Sequence, residues 1–340
     1  MDEELIAEVV RRRRAERGSA VIGRVIDLKG FSTLPVDEMV AIDDQGGFHG
    51  DLLGGPGRAA LVPVAESVLG APRLEVVGVE IHGPDVKELG LSCGGRADVL
   101  LQPAASIPDE FWAARAGRAP VALITVIEGP AAGPDAVGVG PNGEVWGGIP
   151  GVEQTVFADL VAEASALLRQ GRTGRQKVEL AEGAALVEAW VPQPRLVVVG
   201  GGDIVDAIGA QAGLLGWAVR STEAVDDVDG MLEWGGSTGA LIVCSHDPHV
   251  DAPALAGGLR RSTPYLGAMG SRGTQSRRME RLRADGFTDD DLGRIHKPIG
   301  LNLGGRRAPE VALSIVAEVL ACHSGRDGGP LKDTTGPIHG

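Results

Sequence analysis

Four short stretches of this chain carry residues able to do chemistry. The first is Gly200-Gly201-Gly202, directly after a strand expected at 195–199. A strand, a tight glycine turn and a helix N-terminus leave backbone N–H groups free to hold a phosphate. Gly200 would make the turn and Gly202 would admit a pyrophosphate to the backbone, while Glu223, about 20 residues on, stands where a ribose-binding acid is expected. Val205 occupies the place of a third glycine, and Asp203 puts a carboxylate where phosphate would be repelled. The same residues suit a tight βα turn with no nucleotide bound.

The second stretch, Ser245-His246-Asp247-Pro248-His249-Val250-Asp251, follows an apolar run. Ligands of open α/β sheets gather at the carboxyl ends of strands, which favours His246 and Asp247 as cofactor contacts. Two histidines and two aspartates this close also suit a metal, or plain loop and helix-cap roles, and their spacing is not diagnostic. The third is Gly267-Ala268-Met269-Gly270-Ser271-Arg272, where Gly270 and Ser271 permit close backbone approach and Arg272 can neutralise an anion. The fourth is Leu91-Ser92-Cys93-Gly94-Gly95, with a thiol beside a Gly-Gly pair. Thiolates bind soft metals or carry sulfur, whereas a single cysteine is more often a small buried hydrophobe. Cys244, at the end of an apolar strand, fits that second role.

The elements that position these residues change character near Pro192-Gln193-Pro194. Residues 2–17 have helical spacing, with Gly18 expected at the C′ position. Stretches 21–28 and 39–42 read as strands around a turn at 44–47. Asn142-Gly143 marks a hairpin between 137–139 and 144–146. A helix is expected over 157–168, then a hairpin of 177–180 with 186–191. No internal repeat is visible, and residues 1–192 read as an α+β domain. Beyond the proline pair, strands at 195–199, 217–221, 240–244 and 264–269 alternate with helices, the grammar of a parallel sheet. A helix is expected over 274–284, a short one capped by Thr288, and a last one opened by Pro309. The expected architecture is therefore α/β overall: an N-terminal α+β domain, then a Rossmann-like parallel-sheet domain over 195–323. A Gly-rich, polar tail at 324–340 is expected to be disordered.

Bulk properties narrow the function. The 340 residues carry a net charge of -14, which argues against a broad nucleic-acid face. Arg11 to Arg14 form the one dense basic run and read as a solvated helix face. Apolar runs such as 121–127 are too short to cross a bilayer. The acidic start and three widely spaced cysteines point to a reducing cytoplasm, with no disulfide framework and no zinc pattern.

Taken in order, these motifs resemble the XdhC/CoxI family of accessory proteins for xanthine dehydrogenase and carbon monoxide dehydrogenase. The resemblance is most specific over residues 195–322. It rests on Gly200-Gly201-Gly202, on Ser245-His246-Asp247 with Asp251, and on Tyr265-Leu266-Gly267-Ala268-Met269-Gly270-Ser271-Arg272. His296-Lys297-Pro298-Ile299-Gly300-Leu301 and Ala308-Pro309-Glu310 through Glu318 complete it. Ser92-Cys93-Gly94-Gly95 carries it into the N-terminal half. The resemblance implies binding of molybdenum cofactor (molybdopterin), protection of it during sulfuration by a cysteine desulfurase, and delivery to a molybdenum hydroxylase such as xanthine dehydrogenase. It implies a catalytic place for Cys93 near molybdenum or sulfur, with the loops at Gly202, His246 and Ser271 holding the pterin phosphate or a nucleotide, and a homodimer. The chain departs from the family pattern where Pro56 follows Gly54-Gly55 in place of a second cysteine, and at Asp203 and Val205 in the glycine loop. An NAD(P)-dependent oxidoreductase and a non-catalytic scaffold for the hydroxylase remain as alternatives.

Overall fold

The computed structural model describes residues 3–30, 39–82, 86 and 94–333. The chain divides into two compact units, Met1–Val191 and Pro192–Gly340.

The first unit holds two five-stranded antiparallel sheets. One has the order β3-β2-β1-β5-β4 and the other β8-β7-β6-β10-β9. Their strands are β1 (Ala20–Lys29), β2 (Met39–Asp43), β3 (Phe48–His49), β4 (Glu75–Ile81) and β5 (Gly95–Pro103), then β6 (Val121–Glu128), β7 (Ala136–Val139), β8 (Val145–Gly147), β9 (Gly174–Leu180) and β10 (Gly183–Trp190). Helix α1 (Glu3–Ala15) precedes the first sheet and α3 (Asp109–Ala116) precedes the second. Helix α2 (Gly54–Gly70) joins β3 to β4, and α4 (Gln154–Arg169) joins β8 to β9. The same helix–three strands–helix–two strands plan thus occurs twice. This corrects the reading that no internal repeat is present: the repeat lies in strand order and burial, which many apolar sequences satisfy, and not in residue identities. Helix α2 packs on one face of its sheet through Leu61, Ala65 and Val68, and α4 does the same through Leu160, Ala164 and Leu167. Ile6 and Val10 of α1, Phe111 and Trp112 of α3, Ile22 of β1 and Leu123 of β6 share a third core.

Local details revise two expectations. The left-handed residue after α1 is Arg17, with φ 59°, and Gly18 is needed for space, because a side chain there would collide with the Arg13 guanidinium. Nor is the Arg11 to Arg14 run simply solvated. Arg13 is buried, with Nε donating to Asp44 at 3.1 Å, and Arg14 donates to the Ala104 and Ile107 carbonyls. Helix α1 lies against its neighbours along that side, so only Arg11 and Arg12 are fully exposed. Pro56 sits in the first turn of α2, where the missing N–H would have had no helical partner anyway.

The second unit is a parallel sheet in the order β12-β11-β13-β14-β15. Its strands are β11 (Arg195–Val199), β12 (Ala218–Thr222), β13 (Ala240–Val243), β14 (Tyr265–Ala268) and β15 (Ile295–His296). Counted within the unit, that is 2-1-3-4-5, a doubly wound arrangement. Helices α5 (Asp203–Leu214) and α10 (Ala308–His323) cover one face through Val205, Ile208, Ile315 and Val319. Helices α6 (Val228–Gly235), α7 (Pro248–Arg260), α8 (Arg272–Ala284) and α9 (Asp289–Gly293) cover the other through Leu232, Leu255, Met279 and Leu292. Strand interiors such as Leu196 to Val199 are buried on both faces, which explains their unbroken apolar run. Thr288 and Asp291 form a reciprocal capping box on α9. Beyond α10 the described chain continues through residues 324–330 to a 3₁₀ turn, Leu331–Asp333; residues 334–340 of the tail lie outside the described residues.

Candidate functional site: the strand-end crevice

In the doubly wound unit the chain leaves β11 for α5 on one face and leaves β13 for α7 on the other. The loops after these adjacent strands therefore part, and a crevice opens between them. Backbone bonds continue past the strands along this edge. Gly200 N donates to Thr222 O at 2.8 Å, Cys244 N to Val199 O at 2.8 Å, and Met269 N to Val243 O at 2.8 Å. The glycine loop, the Ser245 loop and the Met269 loop consequently stand side by side.

The glycines of these loops are constrained to different degrees, by backbone at Gly200 and only by a movable side chain at Gly201. At Gly200, φ is 132° and a Cβ would lie 2.9 Å from Ser245 N, so the two loops touch only because no side chain intervenes. At Gly201 a Cβ would strike the Glu223 carboxylate, which folds over the loop. Gly202 has φ 89° and nothing within 4 Å of a built Cβ, leaving its backbone open to a ligand. Gly270, with φ 135°, packs against Thr274 and Gln275.

Three of the helices that begin at this edge, those that follow the crevice loops, differ in charge. Helix α5 starts with Asp203 and Asp206, beside Glu223. Helix α7 is capped by Asp247, whose Oδ1 accepts from His249 N at 2.8 Å, with Asp251 in its first turn. Helix α8 has no acid in its first turn; it begins with Arg272, exposed, after an N-cap Ser271 whose Oγ accepts from Thr274 N at 3.3 Å. A helix N-terminus attracts anions, and nearby carboxylates cancel that attraction. Position by position, the α8 end is thus the one suited to phosphate. The Gly200-Gly201-Gly202 loop, ringed by Asp203, Asp206 and Glu223, suits N–H or hydroxyl donors. This redistributes roles that the glycine pattern alone assigns to one loop.

Beneath the crevice lies a polar brace that the motifs did not reveal. Arg278 and Gln275 of α8 are both buried. Arg278 donates to Asp251, to Met269 O at 3.1 Å and to Gln275 Oε1 at 3.0 Å, and Gln275 Nε2 donates to Ala268 O at 2.9 Å. Asp251 Oδ1 is buried without a hydrogen-bond partner. Asp251 is therefore a structural ion-pair residue that ties α7 to the Met269 loop. The only advance signal was helical spacing: Gln275 and Arg278 are three apart, on one face of α8.

Of the other sequence candidates, His246 is exposed on the loop after β13. Among the described residues no grouping of three His, Cys, Asp or Glu could hold a metal ion. Cys244 is buried, and burial first, then Asp251, pushes its thiol up to about 12, which makes it inert. Cys93 lies outside the described residues. No helix among them is long and apolar enough to cross a membrane.

Strand order and switch-point crevice define a Rossmann-type domain of the doubly wound class. Residues 196–319 match the XdhC Rossmann domain. The chain is 26% identical over 190 residues to the uncharacterized protein YqeB of Escherichia coli, covering 50% of this chain and 35% of that protein. It is 33% identical over 82 residues to the molybdenum cofactor insertion chaperone PaoD of the same organism, covering 24% of this chain and 26% of PaoD. It thus spans only about a third and a quarter of the lengths of these relatives. A solved structure described as a xanthine dehydrogenase from Bacillus halodurans has a similar fold over 98% of both chains, with a TM-score of 0.50 at 17% identity. That likeness concerns the fold alone.

Proposed function

We propose that the protein binds molybdenum cofactor and helps mature a molybdenum hydroxylase, acting as an insertion chaperone rather than as a catalyst. One observation carries the reading: an XdhC Rossmann domain presents a crevice with separate places for an anion and for hydrogen-bond donors. Molybdopterin has both parts, a phosphate and a heterocycle rich in N–H groups. On this reading Ser271, Arg272 and Gly270 hold the phosphate. Gly200, Gly202, Asp203 and Glu223 face the donors, and His246 and Asp247 form the adjoining wall. Similarity to PaoD supports the cofactor class. Sulfuration with a cysteine desulfurase, a role for Cys93 in it, a hydroxylase such as xanthine dehydrogenase as recipient, homodimerisation and a cytoplasmic setting complete the proposal.

The test is pterin analysis. Protein purified anaerobically under reducing conditions, or loaded with cofactor, yields fluorescent oxidised pterin in a fixed ratio to chain. Arg272→Glu lowers the affinity about tenfold or more, since it removes a charge-assisted contact and adds repulsion. Chain that stays free of pterin when cofactor is supplied defeats the reading.

A second reading, NAD(P) binding, draws on Glu223 at the end of β12 against the glycine loop, where a ribose hydroxyl would be met. It requires saturable nicotinamide dinucleotide binding that Glu223→Ala weakens. The three carboxylates around that loop oppose its pyrophosphate. If neither ligand binds while the hydroxylase still co-purifies, the chain is an interaction scaffold.

A further inference from the structure

Away from the crevice, α10 and β15 assemble a group of side chains that the proposed function does not use. Glu318 and Cys322 are four residues apart on α10 and so share a face. Glu318 is anchored on one oxygen: Oε2 accepts from Tyr265 Oη at 2.5 Å and from Gly300 N at 2.7 Å. Its other oxygen, Oε1, lies 3.2 Å from His296 Nδ1. The His296 ring stacks on Tyr265, with centroids 4.6 Å apart and planes 24° from parallel. The imidazole is thus held by stacking and by a carboxylate that is itself held.

That arrangement dictates a tautomer. An ionised carboxylate can only accept, so Nδ1 carries the proton, and in the neutral imidazole Nε2 is then the atom with the lone pair. Nε2 lies 3.9 Å from Cys322 Sγ, and Cys322 is exposed. Although desolvation raises it, the Glu318 carboxyl lies below its usual range, because His296, Tyr265 and Gly300 N all favour the ionised form.

We propose that Cys322, His296 and Glu318 form a nucleophilic thiol site that exchanges with small disulfides. Cys322 is the nucleophile, His296 the general base, and Glu318 the positioning residue that fixes the imidazole. The Cys322 proton passes to His296 Nε2 as Sγ attacks one sulfur of the disulfide. The disulfide bond breaks, and the departing thiolate takes the proton from His296. Cys322 ends as a mixed disulfide, oxidised at the expense of the incoming disulfide, which is reduced to one equivalent of free thiol. Burial first and then Glu318 push the Cys322 thiol up from its ordinary value, so the resting group is a protonated thiol and needs the base. The site stands on the second unit alone and does not depend on cofactor binding.

The experiment treats the full chain with glutathione disulfide at neutral pH and follows each cysteine by quenched peptide mapping. Cys322 is expected to react about tenfold or more faster in the folded chain than in the same chain unfolded in urea. His296→Gln, with its fold checked by circular dichroism, is expected to abolish that advantage. A Cys322 rate at or below the unfolded rate overturns the proposal, as does a folded His296→Gln chain that keeps the acceleration. Should His296→Gln not fold, the folded-to-unfolded ratio of the natural chain decides.

Discussion

Arg278 illustrates how a single buried charge governs the crevice. Its guanidinium is the partner of buried Asp251 and also supports the Met269 carbonyl. Removing one member of a buried pair strands the other, at a cost of about 3–5 kcal/mol. Arg278→Met is therefore expected to lower denaturant stability by that amount, and Asp251→Asn added to it to recover part of the loss. Equal stability of Arg278→Met and natural protein in urea titrations would contradict the brace. Glu318 supplies a pH signature at the same scale. Its folded pKa is depressed below the ordinary 4.5, so its contribution is complete above that value and is lost as pH falls through the folded value. Stability curves from pH 6 downward are expected to drop more steeply below 4.5 for natural protein than for Glu318→Gln.

At the scale of elements, the turn from β11 into α5 shows why two neighbouring glycines are not equivalent. Both Gly200 and Gly202 have positive φ, but only Gly200 has backbone of the next loop against its missing Cβ. Gly202, with φ 89° and ψ −174°, lies in a region essentially confined to glycine, so Gly202→Ala carries a backbone penalty alone, about 1–3 kcal/mol. Gly200→Ala adds a collision with Ser245 N and must part the two loops. Thermal melts should rank Gly200→Ala below Gly202→Ala, and ligand binding should fall with Gly200→Ala. The helix starts follow the same logic. Thr288 caps α9 from both directions, and Thr288→Ala is expected to cost about 1 kcal/mol, measurable by urea titration.

For the whole molecule, the apolar clusters matter more than any motif. The two cores of the second unit, around Leu241 and Ile242, draw all their residues from that unit, and the three others draw theirs from the first. A fragment of residues 192–340 has two complete helix layers on its sheet and is expected to unfold in one cooperative transition. Gradual melting of that fragment, without a sigmoidal transition, would show that its cores need the rest of the chain. In the first unit, the buried Arg24–Glu188 pair at 2.7 Å joins β1 of one sheet to β10 of the other. Burial comes first for both groups, lowering the Arg24 pKa and raising that of Glu188, with their mutual attraction opposing it. Neither residue stood out in the sequence, since their chain positions are far apart.

What the residues determined unaided is the local grammar. Apolar runs of five, glycine turns, Asn142-Gly143, Thr288 and Pro309 each act over a few bonds, so their meaning survives without the fold. The doubly wound unit, and the loops at Gly200, Ser245 and Ser271, were legible for that reason. Tertiary structure decided everything that depends on distant partners: the doubled plan of the first unit, strands β4 and β5, and the helix opened by Gly54-Gly55-Pro56. It decided which helix end keeps its attraction for an anion, because Glu223 reaches the glycine loop only when β12 lies beside β11. It also brought Tyr265, His296 and Glu318 together across three elements. Hydrogen bonds and charges act through space, and only folding brings residues far apart in sequence within their reach.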